Sequence, residues 1–217
     1  MAKMLASRRT PLSSERILDA AVELLDRDGL DALSMRHLGA ALGVEAMSLY
    51  RHFPSKVRLL EGLAGRLLSE LALPVPGAAP WDVSVRALAR GYRELLVRHP
   101  NAIPLLATLQ LTNPGALGPA GAVMALLRDA GFGAKTSIHA LATAVSYVIG
   151  FAYWEAGTAV LRAGVSEPPA IPAGADPYIA ERWSEIALAD CDEAFEFGLD
   201  VLIAGFDRVR RPLAERS

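Results

Sequence analysis

Arg36-His37-Leu38-Gly39-Ala40-Ala41-Leu42-Gly43-Val44-Glu45-Ala46-Met47-Ser48-Leu49-Tyr50 carries the most specific structural signal in this 217-residue chain. It reads as two short helices and a tight turn. Ser34 can cap the first helix, whose Leu38, Ala41 and Leu42 are expected inward, and Gly43 supplies the left-handed residue that ends it. A second helix, roughly residues 45–52, follows at once. Two helices crossing this closely need a small residue at the contact, a glycine in the turn and apolar side chains to lock their angle. Gly39, Gly43 and the set Leu38, Leu42, Val44 and Leu49 meet those needs, so residues 34–53 read as a helix-turn-helix.

Working outward, residues 1–11 read as a flexible arm, and Ser13 or Ser14 offers a cap for a helix with Ile17, Ala21, Leu24 and Leu25 on one face. Gly29 stops it. On the other side, Pro54 and Ser55 open a helix over 55–72 with a wide apolar face of Leu60, Leu63, Ala64, Leu67, Leu68 and Leu71. Pro74, Pro76, Gly77 and Pro80 then mark the best domain boundary in the chain. Beyond it the pattern predicts a helix over 81–98, a stretch broken by Pro100, Pro104, Pro114 and Pro119, a helix ending at Gly131 and a long helix over 136–162. A Pro- and Gly-rich loop over 163–177 precedes a last helical region, 178–208, with Ile186, Cys191, Ala194, Phe195, Leu199, Leu202 and Phe206 apolar. With no strand signal and no internal repeat, the expected fold is all-α. It divides into the arm (1–11), a three-helix unit with its connecting helix (12–73) and a larger helical domain (74–217).

Composition narrows the function. A hydrophobic content of 52% supplies a sizeable core. The single Cys191 excludes an intramolecular disulfide and a multi-cysteine zinc site, and reads as a small buried apolar residue. No secretory signal opens the chain, so the expected location is cytoplasmic. Residues 136–154 carry no Asp, Glu, Lys or Arg and approach the ~20 residues that span a bilayer. His139, Thr143, Ser146, Gly150 and Tyr153 interrupt that run, which favours a helix buried in a core or a subunit interface and no membrane partner. The net charge of −2 divides into +1 over residues 1–70 and −3 over 71–217, which lets only the N-terminal part approach phosphate. An enzyme finds little support: no G-x-S-x-G, H-E-x-x-H, G-x-G-x-x-G or complete P-loop occurs, and His37, His52, His99 and His139 lack metal-ligand spacing. No catalytic residue, metal or cofactor is expected.

The helix-turn-helix carries its own chemistry. Its second helix fits the ~12 Å major groove while the first crosses the phosphate backbone. Ala46, Met47, Ser48 and Arg51 are the candidates for base reading. Arg51 can grip guanine O6 and N7 together, discriminating by about 1–3 kcal/mol, with an ordinary solvated arginine as the alternative. Ser34, Arg36, Tyr50, His52 and Lys56 flank that face and can bond phosphates, which fixes register. Tyr50 and His52 can equally be packing residues.

The stretch from Ile17 to Leu68, through Arg36, Leu38-Gly39, Leu42-Gly43-Val44, Leu49-Tyr50, His52-Phe53, Lys56 and Leu60, resembles the DNA-binding domain of tetracycline-repressor family regulators. The resemblance implies that Arg36, Ala46, Met47, Ser48, Tyr50, Arg51, His52 and Lys56 face DNA, and that a homodimer reads a palindromic operator. Asp129-Ala130-Gly131-Phe132, Ala140-Leu141 with Gly150, and residues 194–199 with Gly205 resemble the ligand-binding and dimerisation domain of the tetracycline repressor's own subgroup. This implies pairing through helices of about 136–162 and 187–208 as a four-helix bundle. One departure matters: where that repressor places histidines for a magnesium-chelated drug, this chain has Leu71 or Ala72 and Leu106, which cannot bind a metal. The expected effector is therefore a small, largely hydrophobic molecule, held by Leu105, Leu109, Met124, Leu127, Tyr147, Phe151 and Trp154 unless these merely fill the core. A ligand-released repressor is the resulting expectation, with an activator or a regulator without ligand as alternatives.

Overall fold

The computed structural model describes residues 11–75, 77–108, 113–162, 170–183 and 190–210. The expected arm over 1–11 lies outside these except for Pro11, as do Leu109, Ile186 and part of the 163–177 loop. Among the described residues there are helices and no strand. α1 (Ser14–Asp28), α2 (Met35–Leu42), α3 (Ala46–Tyr50) and α4 (Lys56–Leu68) form the N-terminal unit. α5 (Trp81–Arg98), a 3₁₀ turn (Pro100–Ala102), α6 (Ile103–Ala107), α7 (Pro114–Asp129), α8 (Ala134–Arg162), α9 (Pro177–Glu181) and α10 (Cys191–Arg210) form the rest.

Serine side chains start three of the first four helices. The hydroxyls of Ser13, Ser34 and Ser55 accept the amides of Arg16, His37 and Arg58 at 3.2 Å, each satisfying one N–H that the helix cannot. Gly43 ends α2 at φ +66°, the left-handed conformation its lack of a Cβ permits. Two details differ from the sequence reading. Ala41 points to solvent, because α2 is only two turns long and buries Met35, Leu38 and Gly39 instead. α7 begins at Pro114, whose missing amide costs little at a helix start, and keeps Pro119, its sixth residue, inside, where the ring removes the amide that would meet the Gly115 carbonyl.

One core runs through both halves. Ile17, Leu24 and Leu25 of α1, Leu59, Leu63 and Leu67 of α4, Leu95 and Leu96 of α5 and Phe195 and Leu199 of α10 belong to a single buried cluster. A smaller cluster joins Val85, Val123, Leu127, Phe132, Leu141 and Phe206. Polar ties reinforce the junction between the halves. The Asn101 amide donates to the carbonyls of Leu25 and Asp26 at 3.0 and 2.9 Å, His99 Nδ1 lies 2.9 Å from the Asp26 carboxylate, and Arg98 donates to Glu70 at 2.8 Å. These ties at the end of α5 add to the packing of α4 on α7 in fixing how the N-terminal unit sits on the rest.

α5 also holds α8 and α10. Arg90 makes two hydrogen bonds to Glu196, at 2.6 and 2.7 Å, and Arg93 makes two to Glu155, at 2.8 and 2.7 Å, and an ion pair with Asp192 at 2.7 Å. The Arg93 guanidinium lies 4.8 Å from the Phe195 ring centroid, so charge and ring face meet as well. α8 is long and apolar enough, over Ala134–Ala159, to cross a membrane by length and composition. Its inner side packs on α5, α6, α7 and α10, yet only 28% of its most apolar window is buried. Burial on most sides, the expectation from its missing charges, is thus not achieved within one protomer.

Candidate nucleic-acid interface and effector cavity

Gly39 is where α2 and α3 meet. A Cβ there would come within 2.9 Å of the Val44 carbonyl oxygen and 3.2 Å of the Ala46 amide, both backbone atoms that cannot step aside. Leu38 and Leu49 are fully buried beneath the crossing. With Leu49 turned inward, the 100° advance per residue turns Met47, Tyr50 and Arg51 outward, and Met47 and Tyr50 are 71% and 42% exposed. Ala46 and Ser48 are half-buried at the flanks of that face. Arg36 in the first turn of α2 and Lys56 at the start of α4 are exposed. Ser34 is half-buried, its hydroxyl already serving as the α2 cap. His52 is half-buried, with Nδ1 3.3 Å from the Ser14 hydroxyl, which ties the end of the recognition segment to α1. The nine candidate residues thus sit on α2, α3 and the turn into α4, and the free cationic tips among them are Arg36, Arg51 and Lys56.

A cavity of about 90 Å³ lies behind α4. Leu68 and Leu71 close it on the α4 side, Leu88 and Tyr92 come from α5, Leu106 from α6, Ala116, Pro119, Ala120 and Val123 from α7, and Leu141 and Val145 from α8. Tyr92 is the one lining side chain with a polar atom, and burial pushes its phenol well above the ordinary range, so it stays a neutral donor. None of Leu105, Met124, Leu127, Tyr147, Phe151 and Trp154 lines this cavity, and Leu109 lies outside the described residues. The described candidates lie on α6, α7 and α8, three of the helices that line this cavity, but on other faces of them. Leu105 adjoins Leu106 and Met124 adjoins Val123, and one residue along a helix is a 100° rotation. Leu105 and Leu127 are core residues, and Met124 packs half-buried on the second cluster. Tyr147 stacks on Phe195 and donates its hydroxyl to the Phe195 carbonyl at 2.8 Å, while Phe151 meets Phe195 edge-on with Trp154 against it. Of the positions noted in the sequence for the histidines they replace, Leu71 or Ala72 and Leu106, Leu71 and Leu106 line this cavity, and neither offers a ligand to a metal.

α4 touches the cavity wall directly. A Cβ on Gly115 of α7 would lie 2.7 Å from Gly65 Cα and 3.0 Å from the Glu61 carbonyl oxygen, so the two helices meet backbone to backbone. One helix therefore leads from the end of the helix-turn-helix to the lining of the cavity.

Comparison with known proteins places both halves. Residues 17–63 match the family described as bacterial regulatory proteins, tetR family, and residues 73–210 match the tetracyclin repressor-like C-terminal domain. An HTH-type transcriptional regulator of Saccharopolyspora erythraea is 36% identical over 92% of this chain and 86% of its own length. The class A tetracycline repressor of transposon 1721 from Escherichia coli is 32% identical, over 93% of each chain. Among solved structures, the TetR family protein ActR of Streptomyces coelicolor in complex with actinorhodin superposes with a TM-score of 0.80 at 27% identity, over 94% of this chain and all of ActR. TetR of Acinetobacter baumannii gives 0.71 at 31% identity, over 92% and 99%. These relatives are regulators rather than enzymes.

Proposed function

Because this chain belongs to the tetR family of transcriptional regulators, with a tetracycline repressor-like C-terminal domain, we propose that it is a cytoplasmic homodimeric repressor, released from a palindromic operator by a small hydrophobic effector. In this reading residues 12–73 bind DNA and 74–217 bind the effector and pair the protomers. Arg51, Met47, Ala46 and Ser48 read base edges, while Ser34, Arg36, Tyr50, His52 and Lys56 hold phosphates and fix register. The partner protomer covers the outward faces of α8 and α10, where Ile138, Tyr153, Trp154, Phe197 and Val201 are exposed.

The observation that carries the effector part is the sharing of α4 between the cavity and the DNA-reading unit. At about 90 Å³ the cavity is smaller than the roughly 300–1,000 Å³ of pockets that hold drug-sized ligands. A larger effector has to part the walls, and α4 and α7 are two of them. Binding then favours a state in which α4 has moved and the paired recognition helices no longer match successive major grooves. The ligand shifts the equilibrium only by its preference for that state. The lining calls for an apolar molecule with one acceptor for the Tyr92 hydroxyl and without a chelated metal.

The test is a titration of the full-length protein bound to a fluorescent duplex that it retains from a random pool. A small apolar aromatic dye serves as the metal-free probe, and magnesium-tetracycline as the chelate. Release by the dye without magnesium is expected, abolished by Ala120→Phe, which fills the cavity. Release that survives Ala120→Phe, or release by the chelate alone, contradicts this reading.

A further inference from the structure

Met47 poses a question that solvation does not answer. Leu33, Leu38 and Leu49 of the same unit are fully buried, and Met35 nearly so, while Met47 stands 71% exposed on the outer face of α3. Its neighbours on that face, Tyr50 and Arg51, follow at the three- and four-residue spacing that places side chains together. An unbranched thioether has no hydrogen to donate and its sulfur accepts only weakly, so its main contribution at a base edge is apolar contact. The major groove offers one apolar group among the four standard bases, the C5 methyl of thymine.

We propose that Met47 is a specificity-determining residue that reads the C5 methyl of a thymine in each operator half-site, an inference that rests on the DNA-binding reading above. The long polarizable side chain packs on the methyl and excludes water from it. Met47 and Arg51 are four residues apart, roughly 6 Å along the helix axis. At about 3.4 Å per base step, the thymine lies within about two base pairs of the guanine held by Arg51.

Replacing thymine by deoxyuridine removes that methyl and leaves pairing intact. The experiment substitutes each thymine of the selected duplex in turn, in both half-sites, and measures affinity for the full-length wild type, Met47→Ala and Val57→Ala. Val57 is 64% exposed in the first turn of α4 and controls for loss of any exposed apolar side chain. At one position deoxyuridine should weaken wild-type binding about fourfold per half-site, hence about fifteenfold for the symmetric pair, the value of one buried methyl. Met47→Ala should bind both duplexes alike, and Val57→Ala should keep the wild-type difference. Loss of affinity at no thymine, or an equal loss in Met47→Ala, overturns the inference while leaving the repressor reading intact. A folded protein that retains no particular sequence overturns both.

Discussion

Arg51 and Lys56 lie five positions apart, and both expose a cation. A guanidinium on the face of a recognition helix can bond two acceptors of one guanine, whereas an ammonium at the start of α4 acts as a point charge toward phosphate. Arg51→Ala should therefore cost about 1–3 kcal/mol per half-site and relax the preference at one base position of each. Lys56→Ala should weaken binding to all duplexes alike and lower the slope of log K against log salt by about one per protomer. Equilibrium titrations at several salt concentrations separate the two. The outward placement of Arg51 was legible in the sequence because Gly39 and Gly43 fix where α3 begins and which way it turns. Tyr92 was not: a tyrosine inside an amphipathic helix looks the same whether it fills a core or lines a cavity, and only the placement of α7 and α8 decides.

At the scale of helices, α4 is shared between the N-terminal unit and the cavity wall, and its contact with α7 admits no side chain. Gly115→Ala must push the helices apart by tenths of an ångström, since the atoms in the way are backbone. It should lower operator affinity without any effector, and a fluorescence titration measures this. The clasp between α5 and α10 depends on pH. The hydrogen bond from Arg90 lowers the pKa of Glu196; burial opposes this, and the charges of Arg90, Arg86 and Arg93 add to the lowering. A carboxyl depressed on folding stabilises the fold above its unfolded value, near 4.5, and that contribution is lost as pH falls through the lower folded value. The melting temperature should drop across that acidic window, and Glu196→Gln should flatten the drop. The helices themselves were largely readable from serine caps, glycine stops and apolar spacing. Their facing was less so: α8 is apolar nearly all round, and a helix of that kind does not announce which side meets its own core.

For the whole molecule, α8 and α10 leave an apolar surface with Phe197, 72% exposed, within it. The uncharged run over 136–154 signalled that surface in the sequence, but not how little of it one protomer would bury. Phe197→Glu with Val201→Glu should give a folded monomer in sedimentation, with helical circular dichroism intact and specific DNA binding lost, because one recognition helix contacts only half a site. The central claim is that two such helices, paired across a dimer, read one symmetric sequence. Selection from a random duplex library with the full-length protein at about physiological salt tests it most directly, since non-specific binding is weak there. Enrichment of a two-fold symmetric site with half-site centres about 10 base pairs apart or a multiple of that is expected, with the preference at one base pair of each half-site relaxed on Arg51→Ala. A folded dimer that enriches no sequence, or an enriched site without symmetry, would contradict it.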